Sequence, residues 1–179
     1  MLNVSQNFKN DIISTNQALK PVLLITDADN NALFTLTQNK EELFDNDGNL
    51  IRTINAISKV SNVKISTEYD SKTLKINRLR CTLYNYYDIN TKLSEYINRN
   101  VIGKSLYMFY KSPSTNVIDI NNELNRFDCA LIYSGEINRI SFNEQTIDLT
   151  VEDKTQIKIA NKSVPYMSID KLPLEQKNG

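Results

Sequence analysis

Alternation of apolar and polar residues with a period of two constrains this chain most, because successive side chains of a strand point to opposite faces. Val63, Ile65, Thr67 and Tyr69 fall on one face, with Lys64, Ser66 and Glu68 on the other. Leu74 and Ile76 continue the period, and Leu79, Cys81 and Leu83 resume it one residue out of phase. That slip, at Asn77 and Arg78, predicts a bulge or bend, the device by which sheets turn corners. The expected fold class is therefore mainly β, a barrel or sandwich carrying short insertions.

The remaining segments fit around such a sheet. Residues 1–19 read as a short helix, with Val4, Phe8 and Ile12 near helical spacing and Ser5 or Asn3 as N-cap. Pro21 ends any helix and opens the β-branched, apolar run 22–26. Residues 27–31 are a turn cluster and 33–37 a return strand, so the pair predicts a hairpin. Residues 39–45 form a polar excursion, and Asp47-Gly48 is a hairpin signal. Residues 88–98 predict a second short helix, starting near Asn90 or Thr91, with Leu93 and Ile97 four apart. Residues 105–110 are an aromatic-rich strand. The Ser, Thr, Asn and Asp loop at 113–122 is expected to be disordered or ordered by a partner. Residues 129–141 and 146–152 predict a hairpin around 142–145, and 153–160 a short helix or edge strand. The tail from Asn161 to Gly179 holds Pro165 and Pro173, has little periodicity and reads as an extended arm. The expected organisation is an N-terminal helix or arm at 1–20, a β-rich domain at 21–160 and a C-terminal arm or linker at 161–179.

Composition narrows the chemistry. At 179 residues the chain can bury a core without staples. Its 21 basic and 21 acidic residues cancel, so no global field favours nucleic acid or an anionic membrane. With no His there is no Ser-His-Asp or Cys-His nucleophile system and no imidazole-held metal. Four glycines are too few for most phosphate-cradling loops. Apolar runs are too short to span a bilayer, and the first residues carry charges where a signal peptide needs an apolar stretch. These features predict a soluble chain made inside the cell, and not an enzyme. Cys81 and Cys129, each in a strand-like run, read as small buried side chains; a disulfide between them is the alternative.

Local motifs do not overturn that expectation. Gly103-Lys104-Ser105 ends like a phosphate-binding loop, but Asn98 stands where the first glycine belongs and a strand follows in place of a helix. Aligned as a calcium loop on Gly48, the 45–49 cluster puts Leu43 and Ile54 at ligand positions, and 27–31 fails similarly at Ala32 and Gln38. Glu136, Asp148, Glu152 and Asp153 are the carboxylates a glycosidase would need, without the aromatic platforms of a sugar cleft. No residue is assigned as catalytic, cofactor-binding or metal-ligating. The tyrosines 84, 86, 87, 96, 107 and 110 are the least ordinary concentration. Beside Arg78, Arg80, Lys92, Lys104 and Lys111 they could stack single-stranded nucleic acid, but Tyr and Arg equally enrich protein interfaces, which zero net charge favours.

One stretch is more specific. In residues 131–158, LIYSGEINRISFNEQTIDLTVEDKTQIK, a strand reaches "SG", then come an apolar stretch, a tight polar turn and an alternating strand closing on "EDKT". This resembles the hairpin that ends the N-terminal β-domain of tail-hub proteins of tailed bacteriophages. Tyr133, Gly135, Ile137, Ile140, Ile147, Leu149, Val151, Glu152, Asp153 and Thr155 occupy its places. The N-terminal helix, the strand at 21–26, the 63–87 segment leading to "LSEYIN" and the 103–111 strand agree in order, so the resemblance extends over most of residues 5–160. It implies a distal-tail-like structural protein of the tail tip or baseplate hub, assembled in the host cytoplasm into the virion tail. There a homo-oligomeric ring, trimeric or hexameric, would join the tail tube to hub, fibre or spike proteins. The 161–179 arm, the 113–122 loop and the N-terminal helix would touch neighbouring subunits. No enzymatic activity, cofactor or membrane association is implied. A neck, head-completion or tail-terminator protein is the alternative within the virion, and a single-stranded nucleic-acid-binding barrel the alternative outside it.

Overall fold

The computed structural model describes residues 4–14, 18–61, 78–87 and 91–153. Helix α1 (Gln6–Ile13) is followed by strands β1 (Lys20–Thr26), β2 (Ala32–Thr37), β3 (Leu43–Phe44), β4 (Leu50–Ile51), β5 (Thr53–Asn55), β6 (Ile57–Val60), β7 (Arg78–Tyr84), β8 (Ser105–Lys111), β9 (Ala130–Phe142) and β10 (Thr146–Asp153). Eight of these form one mixed sheet in the order β5-β2-β1-β8-β9-β10-β7-β6. The fold is mainly β, as the alternation requires.

The sheet closes on itself. β5 and β6 stand at opposite ends of the strand order, yet only Ala56 separates them in the chain. β5 pairs parallel with β2 and β6 antiparallel with β7. Ala56 makes the junction, its N–H donating to Thr37 O at 3.0 Å and its carbonyl accepting from Tyr84 N at 2.7 Å. One kinked strand thus joins both edges, which selects the barrel over the sandwich and removes exposed edges there.

Two apolar clusters follow from this closure. Leu23, Ile25, Leu36, Leu79, Cys81, Leu83, Leu106, Met108, Ile137, Ile147, Leu149 and Val151 fill the barrel interior. On the outer face of β1 and β8, Val22, Leu24, Tyr107 and Phe109 meet Leu43, Ile118 and Cys129. The β3–β4 hairpin and the chain from 115 to 131 lie over that face, bridged as Phe44 to Val117 and Val117 to Asp128. Cys81 and Cys129 therefore belong to different clusters; both are free and buried, and burial pushes each thiol up to about 12.

Turn residues act as the sequence predicts, in two copies of one device. Asp27 Oδ1 accepts from the backbone N–H groups of Asp29 and Asn31, and Asp45 Oδ1 from those of Asp47 and Asn49. Asn30 and Gly48 take the left-handed conformation that each hairpin needs, at φ 64° and 82°. These bonds, the Asn31 and Asn49 side-chain amides foremost, hold both carboxyls below their ordinary value. In both clusters the carboxylate closes the turn.

Several expectations are corrected. The second helix, expected at 88–98, is not α-helical: over its described residues it is a single 3-10 turn, Leu93–Glu95, and another, Arg99–Val101, follows it. Its apolar spacing survives, because Leu93, Ile97 and Val101 all enter the barrel core. The 113–122 loop is ordered by its own chain, with Thr115, Ile118 and Asp119 buried. In α1, Ser5 caps as predicted and Phe8 is buried, but Ile12 is 54% exposed. The alternating segment 63–76 with its slip at Asn77, the 154–160 element and the 161–179 arm lie outside the described residues.

Helix α1 is held to the barrel by charge. Asp11 accepts from Ser112 Oγ at 2.6 Å and Ser114 N at 2.9 Å, and those bonds, Ser112's first, keep its carboxyl below the ordinary value. A carboxyl depressed on folding stabilises above its unfolded pKa, and the contribution disappears as pH falls through the folded one. Asp11→Asn is expected to cost about 1 kcal/mol near neutrality, a figure reduced for partial exposure. The gap between variant and parent should close as urea midpoints are taken from pH 6 toward pH 2. A gap independent of pH would assign the loss to packing.

Candidate interaction surface

The predicted tyrosine concentration divides when folded. Tyr107 is buried in the outer cluster and donates to Asn30 Oδ1, and Tyr110 packs against the interior core. Tyr84, Tyr86 and Tyr96 remain exposed at 53%, 59% and 49%. Tyr87 and Tyr96 stack with ring centres 4.8 Å apart, tilted by 41°.

The cation at this stack was not among those the sequence pointed to. Arg52, in the one-residue gap between β4 and β5, places its guanidinium 5.9 Å from the Tyr87 ring centre and donates to the Tyr87 hydroxyl. Arg52 and Tyr87 are 35 positions apart, so no local pattern announces the pair. Leu33, Phe34, Ile54, Arg52, Tyr87 and Tyr96 line a half-open cleft of about 340 Å³. A second hollow, of about 520 Å³, lies among Asn55, Tyr84, Tyr86 and Gln145. Ile54 and Asn55, like Tyr86 and Tyr87, are divided between the two, so both flank the same strand ends. Exposed aromatic rings with a cation, beside Leu33 at 44% exposure and Leu50 at 67%, have the composition of a protein-binding face.

Three of the five expected basic partners, Arg78, Lys104 and Lys111, lie elsewhere. Arg78 pairs with Glu152 at 3.1 Å on the outer face of β7 and β10. Lys111 is buried at 3.5 Å from Glu41, which also holds Lys20 at 2.6 Å. Lys104 follows the turn at Gly103, whose φ of 79° and N–H bond to Ile137 O end the second 3-10 turn. The Gly103-Lys104-Ser105 motif is therefore a helix stop leading into β8.

Glu136, Asp148 and Glu152 are strand positions facing out of the barrel, and Asp153 ends β10 in phase with the inward set. Asp148 accepts from Thr82 Oγ1 at 2.7 Å, and Glu136 stands opposite Glu152 across the β9–β10 ladder. Among the described residues no three Cys, Asp or Glu side chains are grouped so as to hold a metal ion. No helix of the described residues is long and apolar enough to cross a membrane.

No family model and no curated protein matches the chain. A solved structure does. The chain is similar to one in a structure described as the virion of a native gene transfer agent particle, at 11% identity and a TM-score of 0.56. The likeness covers 85% of this chain and 46% of that one, so this chain spans less than half the length of the protein it matches. At that identity the likeness shows the fold alone: 85% of this chain superimposes on part of a chain in that particle.

Proposed function

We propose that the chain is a structural, non-enzymatic subunit of a phage-like virion, in the tail tip or baseplate hub. It forms a ring joining the tail tube to distal components. The observation that carries the reading is the fold shared over 85% of the chain with part of a gene transfer agent virion chain. The β9–β10 hairpin supports it as well: residues 135–142 pair antiparallel with 147–153 across one bulge between Thr150 and Val151, with Ile137, Ile147, Leu149 and Val151 inside the barrel. A closed barrel suits the role, since it leaves cohesion to the core and frees its outer face for neighbours.

The test is absolute mass by light scattering over a concentration series. A discrete trimer or hexamer of the 20.5 kDa chain is expected. A mass of one chain at every concentration, with or without purified tail-tube protein, would overturn the ring. Immunolabelling of assembled particles then fixes the position: label at the distal tip is expected, and label at the neck would make the protein a connector.

A further inference from the structure

We propose that the cleft at Arg52, Tyr87 and Tyr96 receives residues 172–175 from the C-terminal tail of a neighbouring copy. The inference rests on the ring reading above and names the contact that closes the ring.

The cleft is charged and apolar at once, and its charge is not answered. Lys20, Lys111 and Arg78 each have a carboxylate. Arg52, exposed and held against Tyr87 by its stacking and its hydrogen bond, has none among the described residues. Both interactions fix the guanidinium without neutralising it, so it presents its remaining N–H groups to an incoming carboxylate. Around it, the tilted Tyr87–Tyr96 pair, Leu33 and Phe34 form apolar walls. Such a groove takes an extended, stiff, apolar segment that carries one negative charge.

The chain contains one such segment. Residues 172–175 read Leu-Pro-Leu-Glu, a proline between two leucines followed by a carboxylate. Proline fixes its own φ and drives the preceding residue to extended conformations, so little entropy is lost on docking. The other tail proline, in Val164-Pro165-Tyr166, has no acidic neighbour, and Pro21 and Pro113 lie in β1 and in the packed 113–122 loop. Reach is sufficient. From Asp153, the end of β10, to Leu172 the extended chain spans up to roughly 60 Å at about 3.3 Å per residue. A folded domain of this size is only about 40 Å across, so the contour length is enough to span to the cleft of a next subunit.

The test uses the full chain with Leu33→Cys in the cleft and Leu172→Cys in the tail, treated with a short bis-maleimide. Cys81 and Cys129 are buried with thiols raised to about 12, so single-cysteine variants give a clean background. A ladder of covalent oligomers under denaturing conditions is expected. Adding Arg52→Glu should weaken the ladder at least fivefold, and combining it with Glu175→Arg should restore it. A cross-linked monomer would overturn the proposal by showing that the tail returns to its own cleft. No cross-link, or a ladder indifferent to Arg52→Glu, would also overturn it. Light scattering on the same samples separates the failures: a ring without cross-links removes the tail contact alone, and a single-chain mass removes the ring.

Discussion

Phe109→Ala is expected to be the most damaging truncation in the protein, lowering stability by about 4 kcal/mol and Tm by roughly 8–16 °C. Phe109 is fully buried on β8, but outside the barrel. Its register partners are Val22 on β1 and Leu131 on β9, and the β3–β4 hairpin and the 115–131 chain cover its ring. Removing the ring leaves a cavity under segments that are too short to collapse into it, so transfer and cavity costs add. Ile13→Ala, at a 77% exposed position, is the control and should stay within about 0.5 kcal/mol. Circular dichroism during urea unfolding measures both. A loss below about 1 kcal/mol for Phe109→Ala would mean that the covering layer is detached in solution and that the interior cluster alone sustains the fold.

What the sequence made legible is what local chemistry controls. Asp27 and Asp45 close their hairpins through bonds to residues two and four positions on, so both turns could be read directly. The β9–β10 hairpin and the inward set Leu79, Cys81 and Leu83 were equally visible, because strand alternation reports one buried face. The outer layer was not legible, because the 113–122 loop that helps to form it is polar and reads as disordered or ordered by a partner, while Ile118 packs it onto Val22, Leu24 and Phe109. The helix predicted at 88–98 shows the limit of spacing. Leu93, Ile97 and Val101 have helical intervals, but the Asn98 side chain accepts from Asn100 N and starts a second turn where a continuous helix would pass. Barrel closure at Ala56 and the Arg52–Tyr87 contact were illegible because each joins segments far apart in the chain. The candidate surface was therefore only half visible: its tyrosines stood out, but its cation did not.

Gly135→Ala is the second large effect, expected at about 3 kcal/mol, and it tests the hairpin on which the tail-hub resemblance rests. Gly135 lies in the middle of β9, opposite Leu106 of β8 and Asp153 of β10. A Cβ there would fall 2.4 Å from Glu152 O and 2.8 Å from both Tyr133 Cε1 and Val151 Cγ1. The Glu152 carbonyl cannot retreat freely, because β10 is laddered to β9 on one side and β7 on the other. Tyr133 is constrained as well, its hydroxyl donating to Val151 O at 3.3 Å so that the ring packs across the glycine. Strand glycines covered by an aromatic neighbour in this way exist because backbone and ring together leave no room for a methyl group. A double-mutant cycle with Tyr133→Ala separates the two clashes. The shortest approach is to backbone, so the two losses should add to within about 0.5 kcal/mol. A double variant markedly more stable than the sum would assign the strain to the tyrosine ring, and a loss under about 1 kcal/mol for Gly135→Ala alone would mean that the hairpin opens freely at this point.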